Sequence, residues 1–157
     1  MPLEIERKFL VTGRFKELSF KSYRIVQGYL STESGRTVRV RLRDGQGFLT
    51  IKGAVKEGGF SRYEWEKEIP AEEAGDLLNL CMGSVIDKTR YLVKGPDGHV
   101  FEIDEFHGDN DGLVIAEVEL GSESEDFVRP DWLGEEVTGD RRYYNSMLLN
   151  NPFKNWK

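Results

Sequence analysis

Charges of the same sign recur two residues apart along the chain. They form the pairs Glu4/Glu6, Arg39/Arg41, Glu64/Glu66, Glu102/Asp104 and Glu117/Glu119. In a β-strand, residues two apart point to the same side, with Cα atoms about 6.6 Å apart. Because like charges on one face repel, a strand that only faces water would more cheaply mix the two signs. The carboxylate pairs indicate a shared divalent cation, and the arginine pair indicates phosphate oxygens, which match the geometry of the guanidinium group.

A closed sheet would bring these residues together. Any single pair is better explained as the solvated face of a strand, but recurrence of both signs on several segments favours a common site. If about eight strands close into a barrel, their polar faces line an interior wide enough for one small ligand. That interior would collect the cations Lys8, Arg39, Arg41, Lys52, Lys88 and Arg90 and the carboxylates Glu4, Glu6, Glu64, Glu66, Glu102, Asp104, Glu117 and Glu119. This set suits a metal-bound polyanion, with a triphosphate as the natural candidate. Oxygen-only ligands indicate a hard cation, Mg²⁺ or Mn²⁺, rather than zinc.

Alternation of apolar and polar residues predicts that strands carry these charges. The alternation covers residues 3–11, 23–30, 37–42, 49–52, 63–69, 88–93, 101–104 and 117–120, mostly separated by glycine-bearing turns. Helical spacing predicts a helix from about Pro70 to Leu80, and Asp140 is placed to cap a final helix to about Leu149. Residues 122–125 resemble a capping box. The predicted fold class is α+β: a closed eight-stranded antiparallel β-barrel with a polar lumen, covered by a few helices.

Length and composition limit the classes of protein to which the chain can belong. Its 157 residues suit a single domain over residues 1–157, and a formal net charge of −6 without a basic run argues against a nucleic-acid partner.

Cys81 is the only cysteine, which excludes an intrachain disulfide and a multi-cysteine metal site. The sequence has no apolar run long enough for a signal peptide or a membrane span, so we expect a cytoplasmic protein without a membrane partner. His99 and His107 lie on or beside a turn and are expected to be surface residues. The oligomeric state is not determined, and a homodimer is left open.

The order of the charged residues resembles the CYTH superfamily, the triphosphate tunnel metalloenzymes. Glu4-Ile5-Glu6-Arg7-Lys8 is similar to the E-x-E-x-K signature of that family. The residues that follow keep the family's order: Arg39-x-Arg41, Lys52, Glu64, Lys88-x-Arg90, Glu102-x-Asp104 and Glu117-x-Glu119. The resemblance covers residues 3 to about 150, and residues 137–145 resemble the closing helix of short bacterial members.

The resemblance implies an eight-stranded antiparallel tunnel that binds a triphosphate together with Mg²⁺ or Mn²⁺. It implies that the phosphates are held by Lys8, Arg39, Arg41, Lys52, Lys88 and Arg90. It implies that the metal is held by Glu4, Glu6, Asp104, Glu117 and Glu119, with Glu64 and Glu102 as further ligands or as neighbours that support them. In short members a tyrosine pairs with the signature lysine near the attacking water, so Lys8 and Tyr29 are the predicted catalytic residues. The alternative for Tyr29 is an ordinary strand aromatic.

Hydrolysis of inorganic tripolyphosphate to pyrophosphate and phosphate is the predicted function, because short single-domain forms with this opening resemble inorganic triphosphatases. The chain is thus predicted to be a metal-dependent hydrolase of phosphoanhydride bonds, with a small-molecule triphosphate as its partner. A class IV adenylate cyclase, which forms cyclic AMP and pyrophosphate from ATP, is the first alternative, although the short glycine-rich loops show no evident nucleoside pocket. A thiamine triphosphatase is another alternative. A non-enzymatic polyphosphate-binding module is the last, since binding alone would not require metal ligands on several strands.

Overall fold

Antiparallel strands make up most of the chain in the computed structural model, which describes residues 3–55, 59 and 61–156. The strands are β1 (Leu3–Val11), β2 (Ser19–Ser31), β3 (Thr37–Arg43), β4 (Gln46–Val55), β5 (Ser61–Ile69), β6 (Ile86–Lys94), β7 (Val100–Phe106), β8 (Val114–Glu119) and β9 (Leu133–Glu136). Successive side chains of a strand point to opposite faces, so the alternating pattern gives each strand one apolar face and one charged face. The apolar faces and the charged faces of the strands therefore need different surroundings.

The sheet closes into a barrel. Hydrogen bonds join the strands in the order β5-β4-β3-β2-β6-β7-β8-β1-β9, and β1 also pairs with β5. Strands β1 to β8 form a closed eight-stranded antiparallel barrel, which confirms the predicted fold class, and β9 is added to β1 outside it. The sequence does not predict β9, because its residues, Leu133-Gly134-Glu135-Glu136, do not alternate between apolar and polar.

The seam that closes the barrel is narrow. Residues 3–5 of β1 pair with residues 61–63 of β5, whereas Phe9 and Val11 on the same edge pair with β9. Between these two pairings, the Val137 N–H donates to the carbonyl oxygen of Lys8 at 2.8 Å, and the Lys8 N–H donates to Thr138 Oγ1 at 2.9 Å. The barrel wall beside Lys8 is therefore completed by a loop and not by another strand.

The apolar faces point outward and are covered mainly by irregular chain. One cluster packs Phe9, Phe101 and Val118 of the barrel against Trp132 and Leu133. A second cluster packs Ile86, Phe106 and Ile115 against Val137, Tyr143 and Leu148 from the C-terminal segment. The covering was predicted to be helical. Bulky aromatic side chains on extended chain bury the same area without regular helices.

Helix α1 (Ala71–Leu78) confirms the first predicted helix and lies over β3 and β4. Its Ala74 is fully buried against Gly47, where a Cβ atom would lie 2.7 Å from the Ala74 Cβ, so only glycine allows this close approach. No helix in the described part of the chain is long and apolar enough to cross a membrane.

The other two helical predictions are corrected by the structure. Asp140 does act as an N-cap, since its side chain accepts from the Arg142 N–H at 3.1 Å. The predicted single helix, however, is replaced by a 3₁₀ turn (Arg141–Tyr143) and a short helix α2 (Asn145–Leu148). Residues 122–125 form a turn and not a helix start. The carboxylates of that turn are occupied elsewhere: Glu123 accepts from Ser61, and Glu125 contacts His99.

Candidate active site

The barrel encloses a cavity of about 180 Å³ whose lining is charged and polar apart from two tyrosine rings. Of the residues predicted to face the interior, those that line it are Lys8, Tyr29, Arg39, Arg41, Lys52, Lys88, Arg90, Glu4, Glu6, Glu64, Glu66, Glu102, Glu117 and Glu119. Residues far apart in sequence meet here because the closed sheet turns the charged face of every barrel strand toward one axis. The volume is many times the roughly 10–15 Å³ needed for one water, so a small polyanion has space to enter.

One side of the cavity is a wall of buried cations. Arg39 and Arg41 of β3 and Lys88 and Arg90 of β6 are all less than 9% exposed. Burial, with the nearby charges of Arg39 and Arg90, lowers the pKa of Arg41 to about 9. Burial also lowers the pKa of Lys88 to about 7, although Asp104 opposes that change. Cations crowded in a low-dielectric interior disfavour one another, so this wall favours an anionic ligand.

Asp104 lies behind that wall and does not contribute to the lining of the cavity. Its carboxylate accepts from Lys88 Nζ at 2.7 Å, from Arg90 Nε at 2.7 Å and from Arg90 NH2 at 2.9 Å. Although burial raises the pKa of Asp104, Arg90 and Lys88 outweigh burial and hold it below its usual range. Both carboxylate oxygens are thus engaged in orienting the cations. Metal ligation by Asp104 stays a prediction, and the geometry favours the orienting role.

Arg39 carries an unsatisfied donor inside the barrel. Its NH2 donates to Thr50 Oγ1 at 3.1 Å and approaches Glu66 at 3.5 Å, but its buried Nε has no hydrogen-bond partner among the described residues. A buried donor without a partner costs about 1–3 kcal/mol. An oxygen-rich ligand in the cavity would satisfy it.

The opposite wall is acidic. Glu4 and Glu6 of β1, Glu117 and Glu119 of β8 and Glu64 of β5 line it, and Glu6 lies directly across from Glu119 in the sheet. Burial, together with the charges of Glu117 and Glu4, raises the pKa of Glu6 well above its usual range. Burial and a hydrogen bond to Glu4 raise the pKa of Glu64 to about 7. Protons therefore partly offset the repulsion among these carboxyl groups.

The carboxyl groups fit a divalent cation in their chemistry. Glu6 shares a hydrogen bond with Glu117, and Glu64 shares one with Glu4. A proton between two carboxylates occupies a position that a hard cation can take, and all the donors are oxygens, which Mg²⁺ and Mn²⁺ prefer. The described residues contain no preassembled group of three or more metal-ligating side chains. Glu4 is paired with Lys52 at 2.7 Å, so this ion pair would have to open when a cation binds there.

Lys8 lies between the acidic wall and the loop that completes the barrel. Its Nζ is 4.0 Å from Glu117 Oε1 and 4.9 Å from the centre of the Tyr144 ring. Burial lowers the pKa of Lys8, but Glu117 and Glu6 outweigh burial and raise it, so the side chain is charged. Tyr29 lies in β2 opposite Arg39 of β3. The aromatic ring over Lys8 is that of Tyr144, and the predicted pairing of Lys8 with Tyr29 stays a prediction.

Among the described residues, six that line the cavity were not predicted for the site from the sequence: Thr37, Arg43, Arg62, Tyr144, Asn145 and Ser146. Arg62 donates to Glu4 at 3.3 Å. It lies two residues before Glu64 on the same face of β5, so the alternation rule could have found it. Tyr144 and Asn145 lie in the C-terminal segment, which has no alternation, and no pattern in the sequence places them in the barrel.

The two histidines lie outside this cavity. His99 contacts Asp97 at 2.9 Å and Glu125 at 2.6 Å on the outer surface. His107 Nε2 lies 2.7 Å from Thr89 Oγ1, also outside the lining.

The chain is similar to known proteins over nearly its whole length. The family model of the CYTH domain matches residues 2–146. An inorganic triphosphatase of Acetivibrio thermocellus is 48% identical over 158 residues, which is 100% of this chain and 99% of the relative. An inorganic triphosphatase of Nitrosomonas europaea is 43% identical over 150 residues, which is 92% of this chain and 95% of the relative. The crystal structure of the inorganic triphosphatase NE1496 has a TM-score of 0.67 and 39% identity, and the match covers 93% of this chain and 97% of that one.

Proposed function

The chain belongs to the CYTH domain family, and we propose that it hydrolyses inorganic tripolyphosphate to pyrophosphate and orthophosphate with the aid of a divalent cation. The observation that carries the proposal is the pairing, inside one closed barrel, of a wall of buried cations with a wall of carboxylates. Two relatives that match nearly the whole chain are inorganic triphosphatases, which supports the same reaction.

The cationic wall binds the phosphates. Arg39 and Arg41 present guanidinium groups that can each contact two phosphate oxygens, and Lys88 and Arg90 add charge from the neighbouring strand β6. Phosphoryl transfer depends mainly on positioning and on electrostatic stabilisation of the oxygens that gain charge. Because the barrel already fixes these cations, little reorganisation is needed when the substrate binds.

The acidic wall would hold the cation through Glu4, Glu6, Glu117 and Glu119, with Glu64 and Glu102 beside them. When bound, Mg²⁺ or Mn²⁺ would neutralise charge on the phosphate oxygens and lower the pKa of a bound water. Lys52, which is paired with Glu4 in the absence of ligands, would be released toward the phosphates.

Lys8 is placed for the attacking water. Its charge is maintained by Glu117 and Glu6, so its ammonium group can orient a water or stabilise a terminal phosphoryl oxygen, but it cannot act as a base. The water supplies the oxygen and proton that the products gain, and pyrophosphate leaves with the bridging oxygen. No covalent intermediate with the protein is needed.

The composition of the lining favours a hydrolase over a cyclase. In the described part of the chain, no apolar surface of the size of an adenine ring lines the cavity, whose apolar elements are the rings of Tyr29 and Tyr144. A cyclase has to hold the base and ribose against the α-phosphate. Inorganic tripolyphosphate needs only the phosphate and metal groups.

A substrate panel tests the proposal. Orthophosphate release is measured with tripolyphosphate, ATP and thiamine triphosphate, each with Mg²⁺ and with Mn²⁺, and cyclic AMP is assayed with ATP. We expect the highest kcat/KM for tripolyphosphate, with equimolar pyrophosphate and orthophosphate and no turnover in EDTA. Formation of cyclic AMP and pyrophosphate from ATP with tripolyphosphate inert would contradict the proposal, as would binding of tripolyphosphate without turnover.

A further inference from the structure

Asn145 connects the C-terminal segment to the phosphate-binding wall. It is the first residue of helix α2, and it lines the cavity. Its side-chain oxygen Oδ1 accepts two hydrogen bonds, one from Lys88 Nζ at 2.9 Å and one from Gln27 Nε2 at 2.9 Å. One amide oxygen therefore fixes an ammonium group and a second amide at the same time.

Gln27 extends this connection to Arg41. Gln27 of β2 is fully buried, and its Oε1 accepts from Arg41 Nε at 2.7 Å. A side-chain amide has an acceptor on one side and a donor on the other, so its orientation here is set by Arg41 and Asn145 together. A glutamate would offer no donor to Asn145, and a methionine would offer a hydrogen bond to neither Arg41 nor Asn145.

The two hydrogen-bond chains leave donors of both cations available for a ligand. Lys88 has three ammonium donors, and Asp104 and Asn145 accept from it at 2.7 and 2.9 Å. Arg41 donates from its Nε to Gln27, and its side chain lines the cavity, so its two terminal nitrogens are not used by Gln27. Lysine is a flexible point charge, so the direction of its free donor depends on the groups that hold it.

Neutrality is the second feature of Asn145. Lys88 and Arg90 already share the single charge of Asp104. A neutral acceptor at position 145 orients Lys88 and leaves its positive charge for the substrate. A carboxylate there would neutralise Lys88 and repel phosphate.

We propose that Asn145, together with Gln27, is a positioning residue that orients Lys88 and Arg41 for polyphosphate binding while leaving the positive charge of the wall intact. This proposal rests on the proposed function only in taking a polyphosphate as the ligand. It assigns a role in substrate affinity to the C-terminal segment, which contributes no strand to the barrel.

The test compares Asn145→Asp with the matched control Asn150→Asp. The first substitution keeps the size of the side chain and an acceptor for both Lys88 and Gln27, but it adds a charge. The control adds the same charge to an exposed residue just past α2. Binding of tripolyphosphate is measured by calorimetry in EDTA, KM and kcat are measured with Mg²⁺, and the folded state is checked by circular dichroism and Tm.

We expect Asn145→Asp to weaken tripolyphosphate binding and to raise KM by at least about tenfold, or about 1.4 kcal/mol. The fall in kcat should be smaller, because these cations contact phosphate in the ground state and in the transition state. Asn150→Asp should bind within about twofold of the wild type. Gln27→Glu is a second variant that reaches Arg41 directly, and it should raise KM in the same direction.

Binding by Asn145→Asp and Gln27→Glu within about twofold of the wild type would overturn the proposal. An equal loss in Asn150→Asp would also overturn it, since the effect would then be one of net charge. The proposed function can fail separately. If the wild-type protein binds tripolyphosphate in EDTA but does not hydrolyse it with Mg²⁺, the proposed reaction is refuted. The dissociation constants of the wild type and the variants for tripolyphosphate still test the role of Asn145.

Discussion

Replacement of Asp104 by asparagine distinguishes two roles for this buried carboxylate. Its two oxygens accept three hydrogen bonds: Oδ1 from Arg90 Nε, and Oδ2 from Arg90 NH2 and Lys88 Nζ. Asparagine keeps the shape but turns one oxygen into an NH2 group. Whichever way the amide is oriented, that NH2 faces a donor on a cation. The variant thus loses a charge and at least one hydrogen bond.

The expected loss of stability is large because all three groups are buried. Asp104 and Lys88 are each 1% exposed and Arg90 is 6% exposed. Removing one partner of a buried ion pair costs about 3–5 kcal/mol, since the remaining charge is left uncompensated. For a domain of this size, 1 kcal/mol shifts Tm by about 2–4 °C, so the expected fall in Tm is about 6–20 °C. Typical domains have about 5–15 kcal/mol of stability in total, so the variant should remain folded at 25 °C in most of that range.

Thermal unfolding and urea unfolding in EDTA provide the assay, with Glu119→Gln as the control. Glu119 lines the same cavity, but it is exposed, and burial together with the charges of Glu4 and Glu102 raises its pKa. A raised pKa means that the charge of Glu119 is unfavourable in the folded state. Neutralising it should leave stability unchanged or increased in the absence of metal.

A change in Tm of less than about 3 °C for Asp104→Asn would refute the orienting role. If that small change came with loss of Mg²⁺-dependent activity, Asp104 would belong with the proposed metal ligands. A large fall in Tm in EDTA, where no divalent cation is bound, supports the orienting role.

Three further predictions concern single side chains. Arg39→Lys should lower kcat/KM for tripolyphosphate at least about tenfold, about 1.4 kcal/mol, because the unpartnered Nε and the planar fork are lost; steady-state kinetics within threefold of the wild type would contradict it. Tyr144→Leu should lower kcat/KM more than Tyr144→Phe, by up to about thirtyfold, because phenylalanine keeps the ring over Lys8; equal effects in the same assay would assign the role to the hydroxyl. His99 has its pKa raised by hydrogen bonds to Glu125 and Asp97, so its contribution to stability is complete below the unfolded pKa of about 6.5 and is lost as pH rises through the folded value. Urea unfolding of His99→Gln should therefore differ most from wild type near about pH 5 and least near about pH 9, and a difference that grows with pH would disprove this reasoning.

Period-two patterning explains why so much of the cavity could be predicted. Once residues such as Arg39 and Arg41 lie in a strand, they share a face regardless of what the rest of the chain does. An apolar opposite face has to be buried, so the only choice left was whether the charged face met water or the inside of a closed sheet. The repeated like-charge pairs favoured the inside, and the barrel confirms it.

The alternation of apolar and polar residues predicts on which face of a strand a side chain lies, but not how deeply it is buried. Asp104 is an example. Asp104 and Glu102 share one face of β7, yet Glu102 lines the cavity, whereas Asp104 is buried behind Lys88 and Arg90. The neighbouring strand decides this, because Arg90 lies opposite Asp104 in the register and donates its two shorter hydrogen bonds, 2.7 and 2.9 Å, to that carboxylate, whereas its contact with Glu102 is 3.3 Å. The sequence of β7 alone contains no sign of it.

The sequence by itself determined the eight barrel strands, the face on which each of their charges lies and the chemistry that those charges can perform, because these depend on residue type and on local periodicity. Only the tertiary structure decided how the barrel closes, with β1 shared between β5 and β9, and which residues of the C-terminal segment enter it. Tyr144 and Asn145 reach Lys8 and Gln27 across more than a hundred residues of chain. Contacts at that separation are set by how whole elements pack, and no local pattern records them.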